Sequence, residues 1–95
     1  MPYIHPEQRK QLDPSIDSVI AAIKTEAASD SHAVAGLLNY ACTRIALGVI
    51  PERRYASIAL VSGVLHNIAD EFYRRCAVPY EDRKIKDNGD VYPSA

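Results

Sequence analysis

Ile58, Val61, Leu65, Ile68 and Phe72 follow one another at alternating intervals of three and four. That spacing lays one apolar stripe along an α-helix and does not fit the two-residue period of a strand. It also approaches a heptad repeat, the pattern of a helix that packs lengthwise against another. The stripe predicts a long helix over residues 54–77, with Pro79 ending it or starting a new turn. Gly63 inside it costs about 1 kcal/mol of helix propensity relative to alanine and reads as a close helix–helix crossing.

Upstream, Ile16, Val19, Ile20 and Ile23 recur at helical spacing after Asp13-Pro14. Asp13 can cap the free amides and Pro14 suits a first helical position, so a helix over residues 14–28 is expected. A polar leader, residues 1–12, precedes it, and Pro6 can open a short turn from Glu7 to Gln11. Ser29-Asp30-Ser31 breaks the pattern and supplies a cap for a second helix over residues 32–48. Its inward face is Val34, Leu37, Leu38, Ala41, Ile45 and Ala46, and Gly48 with Pro51 ends it. The expected fold class is all-α: a small helical bundle of three main helices plus a short carboxyl-terminal helix or turn, in a single helical domain over residues 1–95. A chain of 95 residues has a thin core. With Ala-rich faces and the seam on the third helix, it is expected to form a homo-oligomer.

Lys and Arg number 11 against 12 Asp and Glu. That balance gives no general drive toward nucleic acid or an anionic membrane. No apolar run is long enough to span a membrane, and the amino terminus lacks a signal peptide's basic start and apolar core. A cytoplasmic protein is expected. Cys42 and Cys76 lie in apolar helical patterns without a CxxC, and read as reduced, partly buried thiols, with a disulfide as the alternative.

The polar carboxyl-terminal segment, Pro79 to Tyr92, invites a functional reading. Glu81 and Asp82 at its start and Lys84 and Lys86 near its end suit the dipole of a short helix, which Asn88-Gly89 would stop. Tyr80, Arg83, Lys84, Asp90 and Tyr92 can instead line a site. Aromatic rings with basic groups suit a nucleotide, whose bases stack and whose phosphates need cations. Gly89-Asp90-Val91-Tyr92 does not reduce to helix grammar and is expected to dock, into this subunit's bundle or another's, with Val91 and Tyr92 buried and Asp90 meeting an arginine.

On the second helix, Asn39 and Thr43, and Tyr40 and Arg44, are one turn apart and extend the candidate set, together with Arg75. The plainer reading is hydrogen bonding to a neighbouring helix or to the tail. Asp70–Arg74 and Glu71–Arg75 are expected to form helix-stabilising pairs. His66 and Asp70 also lie one turn apart, but no third metal ligand follows nearby. No catalytic or phosphate-cradling signature is present, so the chain reads as non-enzymatic and no cofactor is expected.

The run Tyr73-Arg74-Arg75, Pro79-Tyr80-Glu81-Asp82, Lys84-Ile85 and Asn88-Gly89-Asp90-Val91-Tyr92 resembles a family of small uncharacterised proteins from tailed bacteriophages, prophages and bacteria. The likeness extends to Tyr3-Ile4 with Pro6, to Asn39-Tyr40 with Thr43-Arg44, to Tyr55 and to Gly63-Val64-Leu65. Ala41-Cys42 departs from the more strongly apolar residues expected there. The resemblance implies a small accessory protein in host cytoplasm, of a kind that often acts by binding. By analogy alone, one such strategy is a sponge that sequesters a cyclic nucleotide or ADP-ribose-derived immune signal.

Three functions compete. The first is a non-enzymatic binding protein that holds a nucleotide-like ligand between subunits. The second is a protein-interaction module acting on a host or phage protein. The third is a metal-dependent nucleotide hydrolase using Asp70, Glu71, Glu81 or Asp82, although no ExxE-type element stands out.

Overall fold

The computed structural model describes residues 2–93, and among them every regular element is helical. Helix α1 is Pro6–Ala27, α2 is Ser31–Val49, α3 is Tyr55–Phe72, and a π turn, Tyr73–Ala77, leads without a break into α4, Val78–Asn88. The all-α class is as expected. The chain divides into two compact units, Met1–Ile58 and Ala59–Ala95, with the boundary inside the first turns of α3.

In the first unit the α1 boundary corrects the expectation. The helix starts at Pro6, not Pro14, so most of the polar leader is helical. Pro6 takes the first position, and the His5 amide donates to Gln8 Oε1 at 3.1 Å. The Arg9 guanidinium donates back to the Ile4 carbonyl at 3.0 Å. Pro14 lies inside the helix and withholds one backbone donor, a cost of about 3 kcal/mol in a helix interior. Leu12 offers a reason for crossing it: it stands one turn before Ile16 and carries the apolar stripe over the proline. Ser18 Oγ donates to the Pro14 carbonyl at 3.0 Å.

Residues 28–30 reverse the chain. Ala28 closes α1 at φ 53°, a left-handed backbone for a residue with a Cβ, while its amide donates to the Lys24 and Thr25 carbonyls. Asp30 caps α2, as expected for this stretch, its Oδ1 accepting the His32 amide at 3.0 Å. Replacing Ala28 by glycine removes the steric cost of that φ and is expected to stabilise the hairpin by about 1 kcal/mol, measured by urea unfolding.

Burial in the hairpin is graded. Ala27, beside the turn, is 5% exposed and is the only buried apolar residue among those described. Ile23, Ala33, Leu37, Ala41 and Ala46 are half-buried. Farther from the turn on α1, Ile20, Ile16 and Leu12 are exposed. Of the inward face expected on α2, Val34, Leu38 and Ile45 are exposed. Cys42 and Cys76 are free and exposed, correcting the partly buried reading.

In the second unit Pro79 does not end the helix. It is the second residue of α4, one residue past the π turn. A proline has no amide to donate and its ring crowds the carbonyl four residues back, so a wider turn there relieves both problems. Gly89, at φ 87°, then stops α4 with its amide on the Ile85 carbonyl at 2.8 Å, as Asn88-Gly89 predicts.

Candidate functional site

The ten candidate residues fall into two groups, one in each unit. On α2, Thr43 Oγ1 donates to Asn39 Oδ1 at 3.2 Å, and Arg44 Nη1 donates to Tyr40 Oη at 3.0 Å. The Arg44 guanidinium also lies 5.8 Å from the centre of the Tyr40 ring. Each pair thus meets within one helix face. All four side chains are exposed.

On α4, Tyr80 draws two cations. The Arg83 guanidinium is 6.0 Å and the Lys84 ammonium 5.5 Å from its ring centre. Helical spacing of three and four brings both back over the ring, and such contacts contribute about 0.5–1 kcal/mol at exposed positions. Arg75 lies in the π turn and is exposed. Asp90 corrects an expectation. Its Oδ1 accepts the amide of Tyr92 at 2.9 Å, a local turn in place of an arginine contact. Val91 and Tyr92 are exposed in the single chain, not docked into it.

Two carboxylates of the hydrolase reading, Glu71 and Glu81, have partners of their own. Glu71 pairs with Arg74, three residues on. Glu81 accepts a hydrogen bond from Tyr73 Oη at 2.7 Å. That hydrogen bond and the negative charge of Glu81 raise the Tyr73 pKa above its ordinary value. No sequence signal pointed to this contact, since residues eight apart do not share a face of a regular α-helix. Among the described residues, no three His, Cys, Asp or Glu side chains come together in a way that could hold a metal. No helix there is long and apolar enough to cross a membrane.

The surface thus offers two kinds of recognition chemistry: aromatic rings with adjacent cations, and long apolar stripes on helices. Searches of curated proteins and of solved structures return no match. The chain belongs to the family described as Domain of unknown function (DUF6899), which it matches over residues 1–91.

Proposed function

We propose that this protein is a non-enzymatic interaction module that works as an oligomer of its own chain. One observation carries the reading. From Tyr55 to Asn88 the chain is continuously helical, and Ile58, Leu65, Ile68 and Phe72 on its stripe are all exposed in the single chain. Exposed apolar area of that extent marks a protein-binding surface. In a small accessory protein of phage type, acting in host cytoplasm, such a surface would serve self-assembly and capture or adaptation of a host or phage protein. Sedimentation of the wild-type chain over a wide concentration range tests it. The expected result is a mass above one chain that falls on dilution; a monomer at every concentration would remove the reading.

A second reading is favoured by Tyr80 with Arg83 and Lys84: an exposed ring beside two cations is suited to a nucleotide-like ligand, such as a cyclic nucleotide or ADP-ribose-derived immune signal. Arg75 and Tyr92 in the same unit, and Asn39, Tyr40, Thr43 and Arg44 on α2, would add contacts from neighbouring subunits. A thermal-shift panel of cyclic dinucleotides and cyclic ADP-ribose isomers tests it. A ligand at about 100 times its dissociation constant adds about 2.7 kcal/mol of stability, and Tyr80→Ala should abolish the shift. No shift with any member of the panel counts against this reading alone.

A further inference from the structure

We infer that the Tyr73–Glu81 hydrogen bond is a latch on the α3–α4 junction. While it is closed, the junction keeps its π register. When it opens, the junction returns to α-helical pairing, and the face carrying Tyr80, Arg83 and Lys84 turns about 100° around the helix axis. The latch lies wholly within the second unit. It goes beyond both functional readings, because it concerns how that face is aimed and not what binds there.

The junction must accommodate Pro79, and two arrangements can do so. In one, the helix keeps its α register and kinks, because the proline ring pushes against the carbonyl of Arg75, four residues back. In the other, the backbone widens into a π turn, which closes on the fifth residue and absorbs one extra position. The chain takes the second. The Val78 amide donates to the Tyr73 carbonyl, five residues back, where an α-helix would use Arg74. Pro79 disfavours a straight α-helix but does not choose between the kink and the π turn. That choice needs a contact that exists in only one of them.

Tyr73 and Glu81 make that contact. Residues eight apart in a regular α-helix differ by about 80° around the axis, whereas residues seven apart differ by about 20°. The position absorbed by the π turn brings the eighth residue to where the seventh would stand, and Tyr73 Oη donates to Glu81 Oε1 at 2.7 Å across it. With the turn undone, Tyr80 and not Glu81 would stand beside Tyr73, and the bond would be lost. It therefore stabilises the π register alone. Glu81, through that bond and its charge, holds the Tyr73 pKa above its ordinary value, so the hydroxyl keeps the proton it donates through the neutral range. Both side chains are exposed, so releasing them opens no packed core. What the latch aims is the face of α4 where the Arg83 and Lys84 cations lie beside the Tyr80 ring. These three residues share one helix and turn together.

The acceptor of the Val78 amide reads the register, with no ligand or partner needed. In the isotope-labelled full chain, nuclear magnetic resonance detects it as a scalar coupling through the hydrogen bond. The coupling reaches the carbonyl carbon of residue 73 in the π register and of residue 74 in the α register. The wild type should show residue 73. Tyr73→Phe keeps the ring and removes the donor, and Glu81→Leu keeps the bulk and removes the acceptor. In each, the coupling to residue 73 should be lost and one to residue 74 gained. Nuclear Overhauser contacts of the residue 73 ring should move at the same time from position 81 to Tyr80. Glu81→Gln removes the charge but keeps an acceptor oxygen, and should keep the wild-type pattern. The first two variants attack opposite ends of the bond, so either decides the point if the other fails to fold by circular dichroism. A folded Tyr73→Phe or Glu81→Leu chain that retains the residue 73 coupling overturns the latch and leaves Pro79 alone in control of the turn. A Glu81→Gln chain that changes register overturns it too.

Discussion

On the proposed self-association, Leu65→Glu is expected to leave the chain monomeric. Leu65 stands at the middle of the seam, one heptad from Ile58 and one from Phe72. Burying a leucine contributes about 1.5–3 kcal/mol, and a carboxylate in its place adds the cost of an unpaired charge in an apolar interface. Together these exceed about 4 kcal/mol, roughly a thousandfold in the dissociation constant. Sedimentation equilibrium reads the change directly. If folding depends on association, helix content by circular dichroism will also fall on dilution, and will do so at higher concentration in the variant than in wild type. An unchanged mass would show that α3 uses another face.

Ala27→Glu should have the largest effect within the hairpin. Ala27 is 5% exposed where α1 turns toward α2. A glutamate there both overfills the contact and buries a charge, and breaking a packed site in this way costs about 3–5 kcal/mol. Small domains have total stabilities of only about 5–15 kcal/mol, so the variant should be largely unfolded in mild urea. Val91→Ala gives the contrast. Its side chain is exposed, and the change should stay within about 0.5 kcal/mol. Equal midpoints for the two variants in urea unfolding would mean that the hairpin contributes little to the fold.

Much of the helix pattern was legible because its causes are local. Asp30 caps α2 and Gly89 closes α4, each through a contact reaching no farther than four residues. Pro14 was misread for the same reason: it is a strong local signal for a helix start, yet it lies inside α1. Pro79 opens α4, as one of its two readings had it, but without a break from α3. At Pro14 the helix simply continues on both sides of the missing donor. At Pro79 a π turn absorbs the misfit.

The candidate residues divide along the same line. Asn39 with Thr43, Tyr40 with Arg44, and Tyr80 with Arg83 and Lys84 are pairings that helical spacing predicts and the structure contains. Asp90 was assigned an arginine when its nearest partner was the Tyr92 amide two residues away. Tyr73–Glu81 could not be read from spacing at all.

The sequence by itself determined that this chain is helical, where most of its helices run, and that each carries an apolar stripe, because these follow from contacts three and four residues apart. Only the tertiary structure decided that the last two helices are one, in what phase their faces align, and that within the hairpin only Ala27 is buried among the described apolar residues. Phase depends on how the backbone answers Pro79, and burial depends on what lies across from a stripe; neither is a property of local spacing.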